Sequence, residues 1–215
     1  MEESKFNSLC SHYKDTYEIH RATIKQRDTL FYGLLLILAV FTLQLSSTDA
    51  VAKIVVEYVS KTTGIKLGKN VDFLSTLLWF VLIGFSIRYF QVVVEIERQY
   101  GYMYALEEEL NLHYKNSVAF TREGKNYLNK YPIFSNWVWL LYTVLFPVLV
   151  LVCTYARISN EIGHAENINI NLYIDFVCYL VVGTSTVLYM IRLHESTIAN
   201  LTKRCKGWLA ALRRP

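Results

Sequence analysis

An apolar run from Phe73 to Ile87 leads, without a proline, into the mixed segment YFQVVVEIERQYGYMYALEEELNLHYKNSV. This pattern predicts one helix from Asp72 to Val118 that crosses a bilayer and projects beyond it. About 47 residues rising 1.5 Å each give roughly 70 Å, against a hydrocarbon core of about 30 Å. Hydrophobic residues make up 53% of the 215. They are gathered in four long runs separated by polar segments, which is the profile of a polytopic helical membrane protein rather than of a soluble domain with one large core.

The predicted fold is therefore all-α, with four transmembrane helices and helical extensions. Residues 1–29 read as an amphipathic helix, with Phe6, Leu9, Cys10, Tyr13, Tyr17, His20 and Ile24 recurring at spacings of three and four. The first span is 30–48. Residues 49–71 form an outer loop in which Val51, Ile54, Val55, Tyr58 and Val59 share one face, as in an interfacial helix. The second span is 72–94, followed by a helical segment at 95–134. The third span, 135–156, opens with Trp137 and Trp139 as an aromatic belt and contains Pro147, where a kink is expected. A short outer loop, 157–171, leads to the fourth span, 172–193. Residues 194–215 form a basic amphipathic tail helix. Lys and Arg number five before the first span, five in 95–134 and five in the tail, but only one in 157–171. The first outer loop carries four lysines and runs against the trend. The balance predicts both termini in the cytoplasm.

Site candidates follow from polar residues in unusual places. Arg88 at the inner boundary of the second span either snorkels to water or meets a pore or a lipid phosphate. Asp175, near the outer end of the fourth span, is read as interfacial, with a cation-attracting ring as the alternative. Gly183 and Ser185, with Thr184 and Thr186, suit close helix packing or a polar pore lining. On the cytoplasmic side, Tyr100, Tyr104, Glu107 and Glu108 with Arg122 and Lys125 are candidate partner contacts. The acidic 107–109 cluster and the basic 122–130 segment are expected to face each other as a hairpin.

Little in the chain points to catalysis. Arg157 and His164 have the R-x4-6-H spacing of HEPN ribonucleases, but the predicted topology puts them outside the cell. No HExxH, phosphate-cradling glycine loop or nucleophile elbow occurs. The histidines are dispersed and the four cysteines form no CxxC pair, so no metal or cofactor is expected. A net charge of +4 is too small to argue for direct nucleic-acid binding.

The lead helix YKDTYEIHRATIKQRDTLFYG, the segment RQYGYMYALEEELNLHY followed by TREGKNYLNKYP, and four spans in 215 residues give a layout that resembles the small membrane subunits of prokaryotic antiphage defence systems, such as that of Kiwa. The resemblance lies in organisation over the whole length. It implies a homo-oligomer of the inner membrane that detects infection at the envelope and works with a cytoplasmic, nucleic-acid-acting partner. No catalytic residue carries over. The resulting expectation is a non-enzymatic sensor or scaffold whose partners are the bilayer, further copies and a cytoplasmic protein. A homo-oligomeric ion channel or membrane-disrupting effector is the alternative.

Overall fold

The computed structural model describes residues 2–46, 54, 56–58, 60–62, 72–112, 133–164 and 169–195. Every described element is helical, and no strand occurs among the described residues. Helix α1 runs Glu2–Ser46 and α2 runs Asp72–Asn111. Helix α3, Ile133–Leu140, passes through a π-helical turn, Leu141–Leu145, into α4, Phe146–His164. Helix α5 is Ile170–Leu193. Four helical stretches are long and apolar enough to cross a membrane: Glu3–Leu45, Ser75–Asn111, Trp137–His164 and Ile170–Leu193. Only 28–33% of each apolar window is buried within the chain, so most of this apolar surface requires lipid or another chain to cover it.

The chain divides into two compact units. The first comprises Met1–Val40 and Gly84–Leu140, the second Phe41–Ile83 and Leu141–Pro215. In the first, α1 and α2 pack antiparallel. The pairs His12–Tyr102, Tyr13–Glu107, His20–Gln99 and Gln26–Arg88 run in opposite directions along the two helices. On α2, Tyr89, Val92, Ile96, Met103, Leu106 and Leu110 are all buried. With Gln99 they fill an alternating three-and-four spacing, the seam of a coiled coil. On α1 the same seam is occupied by Tyr13, His20, Thr23, Leu34 and Ile37, the last four of them buried. Gly33 sits where a Cβ would collide with the Phe85 ring, so its lack of a side chain sets how closely the two helices approach.

In the second unit α4 and α5 pack against each other. Asn169 caps α5, its side chain accepting from the Ile170 N–H at 2.7 Å. The π turn lies immediately before Pro147 and supplies the disturbance expected there. Pro147 has no N–H to give the Thr143 carbonyl and its ring crowds that carbonyl, and a wider turn relieves both. Buried hydroxyls are satisfied locally. Thr154 donates to Val150 O and Thr186 to Val182 O, each at 2.7 Å.

Two expected boundaries move. The lead helix and the first span are one uninterrupted helix, because no breaker separates them. The helix of the third span does not stop at residue 156. It continues to His164, so Arg157 lies in helix and not in an outer loop. The long second helix is described to Asn111, and its expected end at Val118 lies outside the described residues. In the segment expected as the first outer loop, Ile54, 56–58 and 60–62 are helical, with Ile54 and Tyr58 exposed. The remainder of that loop and the tail beyond residue 195 lie outside the described residues.

Candidate functional site

Two polar clusters are built into the helix contacts. In the second unit, Arg157 and Glu161 stand one turn apart on α4, with Arg157 Nε 2.8 Å from Glu161 Oε1. That approach lacks the alignment of a hydrogen bond. The aligned contacts run through Ser75 of α2. Arg157 Nη2 donates to Ser75 Oγ at 2.8 Å, and Ser75 donates to Glu161 Oε1 at 2.6 Å. The Arg157 side chain is 5% exposed and that of Glu161 14%. The Arg157 guanidinium carbon lies 5.9 Å from the centre of the Phe41 ring, which itself meets Trp79 edge-on at 5.0 Å. A charge in such surroundings is tolerable only when paired and hydrogen-bonded, and Ser75 completes the pair from a second helix.

In the first unit the seam carries a polar layer. Thr23 donates to Ile19 O at 2.9 Å, and Gln99 Nε2 donates to Thr23 Oγ1 at 3.3 Å and to Glu95 Oε1 at 3.4 Å. Gln99 therefore turns its carbonyl oxygen to His20, 3.0 Å from Nδ1. That contact requires a proton on Nδ1. His20 is 1% exposed and Nε2 has no hydrogen-bond partner. The Tyr100 ring stands edge-on to the imidazole at 4.5 Å. Further along, Tyr13 donates to Glu107 Oε1 at 2.8 Å, and His12 meets the Tyr102 hydroxyl at 2.6 Å.

The predicted candidates separate accordingly. Tyr100 and Glu107, expected at a partner surface, are used inside the α1–α2 contact; Glu107 is 3% exposed. The acidic cluster meets Tyr13 of α1 through Glu107, while Arg122 and Lys125 lie outside the described residues. Tyr104 donates to Glu108 one turn on, and Glu108 remains exposed. Arg88 is exposed and reaches Gln26, on the polar side of the apolar run that begins at Leu30. Asp175 is 3% exposed. A Cβ at Gly183 would meet nothing within 4 Å.

The enzyme-like pair does not converge. Arg157 is enclosed by Ser75 and Glu161, whereas exposed His164 places Nδ1 2.9 Å from Asn160 O, two turns further along α4. Among the described residues no group of three or more His, Cys, Asp or Glu side chains could hold a metal ion. The Ser75–Arg157–Glu161 and His20–Thr23–Gln99 clusters were not singled out from sequence. The signal for the first was the four-residue spacing of Arg157 and Glu161, which juxtaposes side chains only on a helix. The second was signalled by the heptad Tyr89–Ile96–Met103–Leu110.

No family model, no curated protein and no solved structure matches the chain.

Proposed function

We propose that this chain is a non-enzymatic, oligomeric sensor or scaffold of the inner membrane, with both termini cytoplasmic, that presents a helical platform to a cytoplasmic protein. The layout it shares with antiphage membrane subunits supports a role in prokaryotic defence. The observation that carries the reading is the α1–α2 pair. Forty-five and forty residues long, these helices rise about 68 and 60 Å, some twice what a hydrocarbon core requires. Their polar ends are held together by the His20–Thr23–Gln99 layer and by Tyr13–Glu107. A buried polar layer in a coiled coil fixes register at a cost in stability. A platform that must present a defined surface has use for that, whereas simple anchoring does not. On this platform Glu108 is exposed and Tyr104 half-buried.

The test is recovery of the intact chain from native membranes under mild detergent. A soluble protein should co-elute in fixed ratio, and Tyr104→Ala with Glu108→Ala should weaken its retention. Ion flux through the purified, reconstituted chain, with no co-eluting protein, would replace this reading with the channel.

A further inference from the structure

Arg88 and Glu95 share one face of α2, seven residues apart, or about 10.5 Å along the axis. Both are exposed. Each has one long polar contact, Arg88 Nη2 to Gln26 Oε1 and Gln99 Nε2 to Glu95 Oε1, both at 3.4 Å. Neither has an ion-pair partner among the described residues. Their order along the helix is fixed. Arg88 closes the charge-free run 73–87, while Glu95 lies further out on the water side. One turn below Arg88, Gly84 is exposed and a Cβ there would meet nothing within 4 Å.

We propose that Arg88, Gln26 and Glu95 form a site for a phospholipid whose headgroup carries a phosphate and, further from the bilayer, a primary ammonium: an ethanolamine-type phospholipid. The guanidinium offers a planar fork of donors to the phosphate oxygens, and the Gln26 amide supplies a further donor. The ammonium donates to the Glu95 carboxylate. The open surface beside Gly84 lies where the acyl chains begin. A choline headgroup supplies the phosphate, but its quaternary nitrogen has no N–H for Glu95. A glycerol headgroup leaves Glu95 beside an uncompensated anion. Arg21 and Lys25, exposed on α1, attract any anionic lipid, so anionic lipid is the necessary control. The site draws on the membrane placement of α2 and is independent of any cytoplasmic partner.

The experiment titrates the full chain, purified in detergent, with phosphatidylethanolamine, phosphatidylcholine or phosphatidylglycerol of identical acyl chains. Thermal stabilisation and lipid retention in native mass spectrometry are read in parallel. The ethanolamine lipid should bind about tenfold tighter than the choline lipid, the scale of one charge-assisted hydrogen bond. Glu95→Gln should bring that ratio close to one while leaving choline-lipid binding in place. Arg88→Gln should weaken both lipids, and Arg88→Lys should retain part of the binding. Inorganic phosphate with free ethanolamine should give no stabilisation. Helix content is checked for every variant; if a Gln variant loses its fold, Arg88→Lys and Glu95→Asp replace it, with a reduced ratio expected. The site is refuted by equal affinity for ethanolamine and choline lipids, by preference for the glycerol lipid, by an ethanolamine preference that survives Glu95→Gln, or by full stabilisation with inorganic phosphate.

Discussion

Glu161 takes the Arg157 charge from one turn away on the same helix, and Ser75 is the residue through which that pair reaches α2. The charges are thus balanced within α4, and the link to the neighbouring helix consists of neutral-to-charged hydrogen bonds. Removing one charge strands the other in a buried site. Arg157→Met is expected to destabilise the protein by about 3–5 kcal/mol, whereas Arg157→Met with Glu161→Leu should lie near the parent or above it. Ser75→Ala should cost about 1–3 kcal/mol. Unfolding in mixed micelles by denaturing detergent reads all three.

His164 is exposed and bonds its own helix backbone, so His164→Ala should change stability by less than about 0.5 kcal/mol. In a cell-based assay of function it should behave as the parent. Lost activity with intact assembly would show that the R-x4-6-H spacing matters after all.

The polar layer makes a prediction about register. Gln99→Leu alone leaves His20 Nδ1 and the Thr23 hydroxyl short of a buried partner and should cost about 1–3 kcal/mol. The triple change His20→Leu, Thr23→Val, Gln99→Leu removes every polar group together and should be more stable than Gln99→Leu. Its register should loosen. Cysteines introduced at Tyr13 and Glu107, in a background without the native thiols, should cross-link efficiently in the parent. In the triple variant a cysteine at Tyr100, one heptad away, should cross-link to position 13 as well.

Gly33 faces Phe85 with no room for a methyl group. Gly33→Ala should cost about 1–3 kcal/mol, the usual penalty for overpacking. Shrinking the opposing ring by Phe85→Leu should recover much of that loss. A double-mutant cycle measures the coupling, and additivity would mean that the two residues do not meet.

Much of the architecture is visible in the apolar runs, because lipid imposes a length and a composition that few other environments demand. The continuity of α2 through Arg88 was legible, since neither a proline nor a turn signal interrupts it. The end of α4 was not. Arg157 looks like the point where a chain meets water, and the hydropathy pattern does not register that Glu161 neutralises it one turn later. The α1–α2 seam was hidden for a related reason. His20, Thr23 and Gln99 occupy seam positions, and polar residues there blur the apolar period that would reveal a coiled coil. Glu107 was expected at a partner surface because Tyr13, whose phenol donates to it, lies far away in sequence.

The self-contained pairing on α4 bears on how this span can respond to an electric field. Apart from Arg157 and Glu161, the stretch Ile133–His164 has no Lys, Arg, Asp or Glu. Its displacement along the bilayer normal therefore carries no net Lys, Arg, Asp or Glu charge. The transmembrane potential does work only on net charge moved across it, about 2.3 kcal/mol per elementary charge per 100 mV. A displacement of this helix would therefore draw no work from the potential through these side chains, and lipid or neighbouring protein would have to supply it by contact.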